Sequence, residues 1–276
     1  MTSGPEADFA RSCVPSITTS GRRTSLLTED GVRIDAAYTP PRAPSGDLAI
    51  VLAHGFTGAL ERPALRRAAG VFAQRAAVIT FSFRGHGRSG GRSTVGDREV
   101  LDLAAAVGWA RALGHRRVAT VGFSMGGSVV LRHAALFGGA RGGRTDARTD
   151  MVVSVSAPAR WFYRGTASMR RLHWVVTRPT GRLVSRLGLK TRIHPEDWDP
   201  VPLSPVAAVP RIAPTPLLLV HGDRDPYFPL DHPRMLAAAA DPDTSDLWLE
   251  RGFGHAENAA PEALLTRIGD WLAERA

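Results

Sequence analysis

Cysteine is nearly absent from this chain. Cys13 is the only one in 276 residues, which excludes an intrachain disulfide framework and a metal site built on cysteines. Lysine is as scarce: Lys190 stands alone, so arginine carries almost all of the formal net charge of +9. Those arginines are spread over helical and loop segments without the aromatic interleaving of a recognition motif, so the charge is read as a solvated surface and no nucleic-acid partner is expected. Long apolar runs are missing too. The strongest, 48–53 and 217–220, have the length of strands and cannot span a bilayer. Arg22-Arg23 could open a twin-arginine export signal, but Glu29, Asp30 and Arg33 follow where an apolar stretch is required, so the chain is expected in the cytoplasm. Metal-binding patterns are lacking as well. Histidines 115, 133, 173, 194 and 232 show no H-E-x-x-H or related spacing, and neither a metal nor an organic cofactor is expected.

What is present is an ordinary globular composition, 43% hydrophobic and 22% charged, in a chain long enough to bury a full core. Residues 1–24 are polar and aperiodic and read as a flexible tail, with one domain over 25–276. Asp30-Gly31, set between Leu26-Leu27 and the alternating Val32, Ile34 and Ala36, predicts a hairpin with a two-residue type I′ turn. Short apolar runs at 48–53, 77–81, 118–122, 151–156, 217–220 and 247–249 then alternate with amphipathic segments at 63–74, 97–112, 126–137, 229–240 and 261–274. This rhythm predicts an α/β fold whose parallel sheet is covered by helices on both faces. Two insertions interrupt it. Residues 138–150, rich in Gly and Arg, read as a surface loop, whereas 158–212 is longer than a crossover needs and carries Trp161, Phe162, Tyr163, Trp174 and Trp198. So apolar an insertion predicts a helical lid.

Gly122-Phe123-Ser124-Met125-Gly126-Gly127 follows a predicted strand and opens a predicted helix, the context a nucleophile elbow requires. Such a turn forces the serine into a strained conformation, and the flanking glycines remove the Cβ atoms that would collide. The plain alternative, a glycine-rich turn with Ser124 as an N-cap, loses because the chain goes on to supply an acid and a histidine in the order Ser, Asp, His. After the strand 217–220 comes His221-Gly222-Asp223-Arg224-Asp225. Asp225 is the best candidate for the acid that orients a catalytic imidazole, although a turn-forming aspartate remains open, and Asp223 reads as a turn residue. Gly252-Phe253-Gly254-His255 lies beyond the last strand and makes His255 the candidate base. His54-Gly55-Phe56 follows the first parallel strand. There the Phe56 amide, with that of Met125, is expected to hold an oxyanion, and His54 reads as a residue fixing the loop. Arg84-Gly85-His86-Gly87-Arg88-Ser89 lacks the Gly-Lys-Ser/Thr of a phosphate-binding loop and reads as a structural turn.

Through these motifs the chain, from about residue 25 to its end, resembles the α/β-hydrolase fold family, in its serine esterase and lipase-like branch. The resemblance implies a mostly parallel eight-stranded sheet with an antiparallel edge, and a lid inserted after the sixth strand. It also implies hydrolysis of a small-molecule carboxylic ester, or a related thioester, lactone, amide or carbon–carbon substrate, through an acyl-enzyme on Ser124 with His255 and Asp225. Serine at the elbow argues against dehalogenases and epoxide hydrolases, and Ser82 stands where relatives often carry Asp. A cofactor-free haloperoxidase or acyltransferase on the same triad, and a non-catalytic pocket-binding protein, are the alternatives.

Overall fold

The computed structural model describes residues 22–42, 47–138 and 145–276. Most of the expected tail, Cys13 included, and residues 139–144 of the first insertion therefore lie outside the described residues. Eight strands form one sheet: β1 (Arg22–Leu27), β2 (Arg33–Thr39), β3 (Leu48–Ala53), β4 (Ala77–Phe81), β5 (Arg117–Phe123), β6 (Met151–Val155), β7 (Leu217–Gly222) and β8 (Ser245–Glu250). Their spatial order is β1-β2-β4-β3-β5-β6-β7-β8. β2 runs antiparallel to both β1 and β4, while β4, β3, β5, β6, β7 and β8 are mutually parallel. The mostly parallel sheet expected above is therefore present.

The helices are α1 (Pro63–Phe72), α2 (Glu99–Ala112), α3 (Met125–Phe137), α4 (Ala167–Thr177), α5 (Pro179–Gly188), α6 (Pro205–Ala208), α7 (Asp231–Ala239), α8 (Ala256–Ala259) and α9 (Glu262–Glu274). The continuous apolar strands follow from burial on both faces. In β3, Ala49, Val51 and Ala53 join one core cluster with Leu103, Val107 and Leu131 of α2 and α3. Leu48, Ile50 and Leu52 point the other way and pack with Phe72 of α1 and Leu265 and Ile268 of α9. Both clusters follow from the period-2 alternation of a strand.

Three expectations need correction or division. The first strand begins at Arg22 rather than near Ser25, because Arg23 pairs with Asp35 on β2 and with Glu61; a polar edge strand carries no apolar period to reveal it. The hairpin turn spans 28–32 and is not a two-residue type I′ turn. Leu27 pairs with Arg33, the Thr28 amide donates to the Val32 carbonyl, and of the turn residues only Gly31 has a positive φ, 80°. Thr28 is buried and its Oγ1 accepts from the Val32 amide, so the turn closes around that side chain. The second insertion divides in two: α4 and α5 form a helical hairpin, whereas Ala208, Val209 and Ile212 are buried in the domain core.

Candidate active site

In an open parallel sheet, ligands bind beyond the carboxyl ends of the strands where the strand order reverses. Here that point lies at β3, whose neighbours β4 and β5 carry the chain away in opposite directions. Ser124 follows β5 and Phe56 follows β3, so both sit at this edge.

Ser124 stands at φ 53°, ψ −113°, a strained conformation for a side chain, as the first residue before α3. The glycines make that possible. A Cβ on Gly122 would lie 2.2 Å from the Gly126 carbonyl oxygen, and one on Gly126 would lie 2.2 Å from the Ala53 oxygen. The Ser124 amide donates to the Val155 carbonyl at 2.8 Å, tying the elbow to β6.

The structure brings the three sequence-predicted side chains into one hydrogen-bonded row. His255 Nε2 lies 2.8 Å from Ser124 Oγ, and His255 Nδ1 lies 2.7 Å from Asp225 Oδ2. With the proton on Nδ1 directed at the carboxylate, Nε2 offers its lone pair to the serine hydroxyl. Asp225 is fully buried at its side chain. Its other oxygen, Oδ1, accepts from the amides of Tyr227 at 2.8 Å and Phe228 at 3.1 Å. The turn-forming role and the contact with the imidazole are thus shared between two oxygens of one carboxylate. Asp223 is exposed and accepts from the Gly252 amide at 2.6 Å, and the nearby Asp231 pairs with Arg160 at 2.9 Å. Neither reaches His255. The ring of Tyr227 tilts over His255 with centroids 4.3 Å apart.

Phe56, Ser124 and Met125 share the wall of a cavity of about 500 Å³. Met125 is the first residue of α3, where backbone amides have no intrahelical acceptor and the helix dipole favours negative charge. The Phe56 loop is held from beneath. His54 Nε2 accepts from the Phe83 amide at 3.0 Å and His86 Nε2 accepts from the Thr57 amide at 3.3 Å. Burial pushes His54 down to about 3 and lowers His86 as well, so both stay neutral and able to accept. The Arg84 turn is the buttress of this loop.

Ser82, at the departure noted above, does not leave that turn unsupported: its Oγ accepts from the Leu60 amide at 3.0 Å. Arg84 is anchored by two carboxylates instead, Asp102 at 2.8 Å and Asp30 at 2.6 Å. Burial works against its charge, but these partners hold the guanidinium above its ordinary range.

Two contributors near the site carry no motif of their own. Glu257 is buried, accepts from the Gly55 amide at 2.9 Å and so links the histidine loop to the Phe56 loop. Burial raises its pKa. Ser156, at φ 53°, accepts through Oγ from the Ala256 amide at 3.1 Å and fixes the residue after His255. Both are non-local contacts. No spacing in the sequence marks them.

Of the aromatics in the second insertion, Trp161, Phe162, Tyr163 and Trp198 line the cavity. Trp174 does not; it is 47% exposed. Among the described residues no cluster of three or more His, Cys, Asp or Glu is placed to hold a metal ion, and no helix is long and apolar enough to cross a membrane.

Comparison with known proteins agrees with this architecture. The esterase Pf2001 of Pyrococcus furiosus superposes with a TM-score of 0.70 at 22% identity, over 93% of this chain and 91% of that one. The alpha/beta hydrolase GrgF of a Penicillium species gives 0.69 at 18% identity, over 92% and 98%. Est1E of Butyrivibrio proteoclasticus, solved with ferulic acid bound, gives 0.61 at 18% identity, over 91% and 98%. No curated protein matches the sequence. The model of the alpha/beta hydrolase family matches residues 50–266, a span from β3 into α9 that holds the elbow, the Asp225 turn and His255, and the chain belongs to that family.

Proposed function

We propose that this hydrolase-family protein is a serine hydrolase that cleaves a small-molecule carboxylic ester. Ser124 is the nucleophile, His255 the general base and acid, and Asp225 the group that orients it. The observation that carries the reading is the unbroken row from Asp225 Oδ2 through His255 to Ser124 Oγ, with gaps of 2.7 and 2.8 Å. His255 Nε2 takes the hydroxyl proton as Ser124 Oγ attacks the acyl carbon. The carbonyl oxygen becomes an oxyanion held by the Phe56 and Met125 amides. His255 then protonates the departing alcohol, and a water activated by the same nitrogen releases the acid from the acyl-enzyme.

The apolar wall supplied by Trp161, Tyr163 and the α4 residues Leu172 and Val176 supports an acyl group of some size and a lid role for the hairpin. An ester is favoured over the other acyl bonds by two of the structural neighbours, an esterase and a protein solved with ferulic acid. The test is labelling with a fluorophosphonate probe. Wild type reacts at Ser124; Ser124→Ala loses labelling, and ester turnover falls by about 10⁶ if the three residues act as a unit. Labelling at another residue, or turnover unchanged in the mutant, overturns the proposal.

A further inference from the structure

α5 is amphipathic in the wrong direction for a helix that closes a core. Gly181 and Ser185, four residues apart, are its buried positions. Its large apolar side chains face outward: Leu183 is 55% exposed, Val184 51% and Leu187 72%. On a surface where water is the only neighbour, this arrangement costs hydration free energy and gains nothing, so an outward apolar stripe marks an interaction face. Arg186 is exposed beside Leu183 and Leu187 on the helical wheel, and Lys190, two residues beyond the helix end, is exposed as well. On α4, Arg171 and Trp174 lie one turn apart, Arg178 follows as the extended residue between α4 and α5, and all three are exposed.

Charge identifies the partner. The sequence has no Asp or Glu between Asp150 and Glu196. Among the described residues, Arg171, Arg178, Arg186 and Lys190 have no ion-pair partner. A second copy docked through the same face about a two-fold axis would set these cations against each other, with no carboxylate on either helix to offset them. A surface that is apolar within and anionic at its rim satisfies both halves of the pattern. The Trp and Leu side chains reach the headgroup–acyl boundary while the guanidinium and ammonium groups stay among acidic headgroups.

We propose that the α4–α5 hairpin docks the protein on a membrane carrying acidic lipids. This goes beyond the ester hydrolase reading and does not depend on it, since docking requires only the outer faces of the two helices. It does have a consequence for that reading. Leu172 and Val176 on another face of α4 line the cavity, so the docked hairpin would set the cavity beside the bilayer, a source of apolar esters.

The test is co-sedimentation of the full-length protein with phosphatidylcholine vesicles, with and without phosphatidylglycerol. Melting temperature checks the fold of each variant, so that a failed esterase assay and a failed docking assay stay distinguishable. The wild type is expected to bind the acidic vesicles at least about tenfold more tightly than the neutral ones. Arg186→Gln with Lys190→Gln weakens that binding by about 25-fold, at about fivefold per cation. Leu183→Asn with Leu187→Asn weakens it by about tenfold or more. Removing the same charge elsewhere, with Arg66→Gln and Arg211→Gln, leaves binding within about threefold at physiological salt. The proposal is overturned if neither vesicle is bound, or if the leucine variant binds as wild type does. A dimer that the leucine variant dissociates, with no vesicle binding, makes a second copy the partner and overturns it as well.

Discussion

Replacing Asp225 by Asn changes one oxygen into a donor at the point where His255 needs an acceptor. The Tyr227 and Phe228 amides, at 2.8 and 3.1 Å, hold Oδ1 and leave the asparagine amide only one orientation that keeps both bonds. That orientation presents Nδ2 to His255 Nδ1, at the position where Oδ2 lies 2.7 Å away in the native protein. Two donors would then meet unless the imidazole moves its proton to Nε2. Once it has done so, the nitrogen 2.8 Å from Ser124 Oγ is a donor and cannot accept the serine proton. kcat is expected to fall by about 10⁴, or about 5 kcal/mol of transition-state stabilisation. Folding stability should change little, because the asparagine oxygen keeps both amide bonds. Asp223→Asn is the matched control. Its carboxylate is exposed and bonds only the Gly252 amide, so about tenfold or less is expected. The assay is steady-state hydrolysis of a short chromogenic ester, with fluorophosphonate labelling to count competent serines and urea unfolding to confirm the fold. A folded Asp225→Asn protein with near-native kcat, alongside an inactive Asp223→Asn protein, would refute the assignment of the acid.

Other outcomes follow from the same geometry. Gly126→Ala would drive a Cβ to 2.2 Å from the Ala53 carbonyl; a loss of about 3 kcal/mol or more in urea unfolding is expected, together with loss of probe labelling. Excising the α4–α5 hairpin, while leaving the core residues Ala208, Val209 and Ile212 in place, should keep the fold yet lower kcat/KM for long-chain esters. Each methylene the hairpin covers is worth about 0.8 kcal/mol, about fourfold, so an equal loss for acetate and long-chain esters would remove the hairpin from acyl selection. Stability should also fall on acidification. Burial holds His54 and His133 down to about 3 in the folded protein, so below the ordinary value near 6.5 the unfolded chain binds the extra protons. Between pH 7 and pH 5 the two together cost about 4 kcal/mol, to be read by urea unfolding at both pH values; a flat profile would mean that these histidines are protonated in the native state.

The parts of the molecule legible in the sequence are those whose physics is local. β3, β4 and β6 are buried on both faces, so each is a run of apolar residues broken at most by one small hydroxyl, Thr80 or Ser154, and the predicted limits match the observed ones within one residue. The elbow was legible for a related reason. The clashes that Gly122 and Gly126 avoid, with the Gly126 and Ala53 backbones, are consequences of a strand-to-helix reversal that no larger residue tolerates. Asp225 is less legible, because Asp223, Asp225 and Asp231 all fall near the end of β7. Only the backbone path shows that Asp223 turns toward Gly252 and Asp231 toward Arg160.

What the sequence hid is held by pairs distant along the chain. In the sequence Asp30 reads as half of a turn signal, but its carboxylate reaches Arg84, 54 residues away. That contact also explains how the turn after β4 tolerates Ser82. The arginine takes its two carboxylates from the β1–β2 loop and from α2, so the support usually expected within the turn comes from outside it. Removing Asp30 would leave the buried guanidinium with Asp102 alone, which accepts from its Nε and Nη2, and would leave Nη1 without its carboxylate. The position of the Arg84 turn, and through His86 that of the Phe56 loop 3.3 Å away, therefore depends on a residue in a different hairpin. Glu257 adds a second tie to the same loop from the side of His255. The loop expected to bind the oxyanion is thus clamped between the β4 turn and the histidine segment. Its geometry is set by how these loops meet at one sheet edge, which only the folded chain displays.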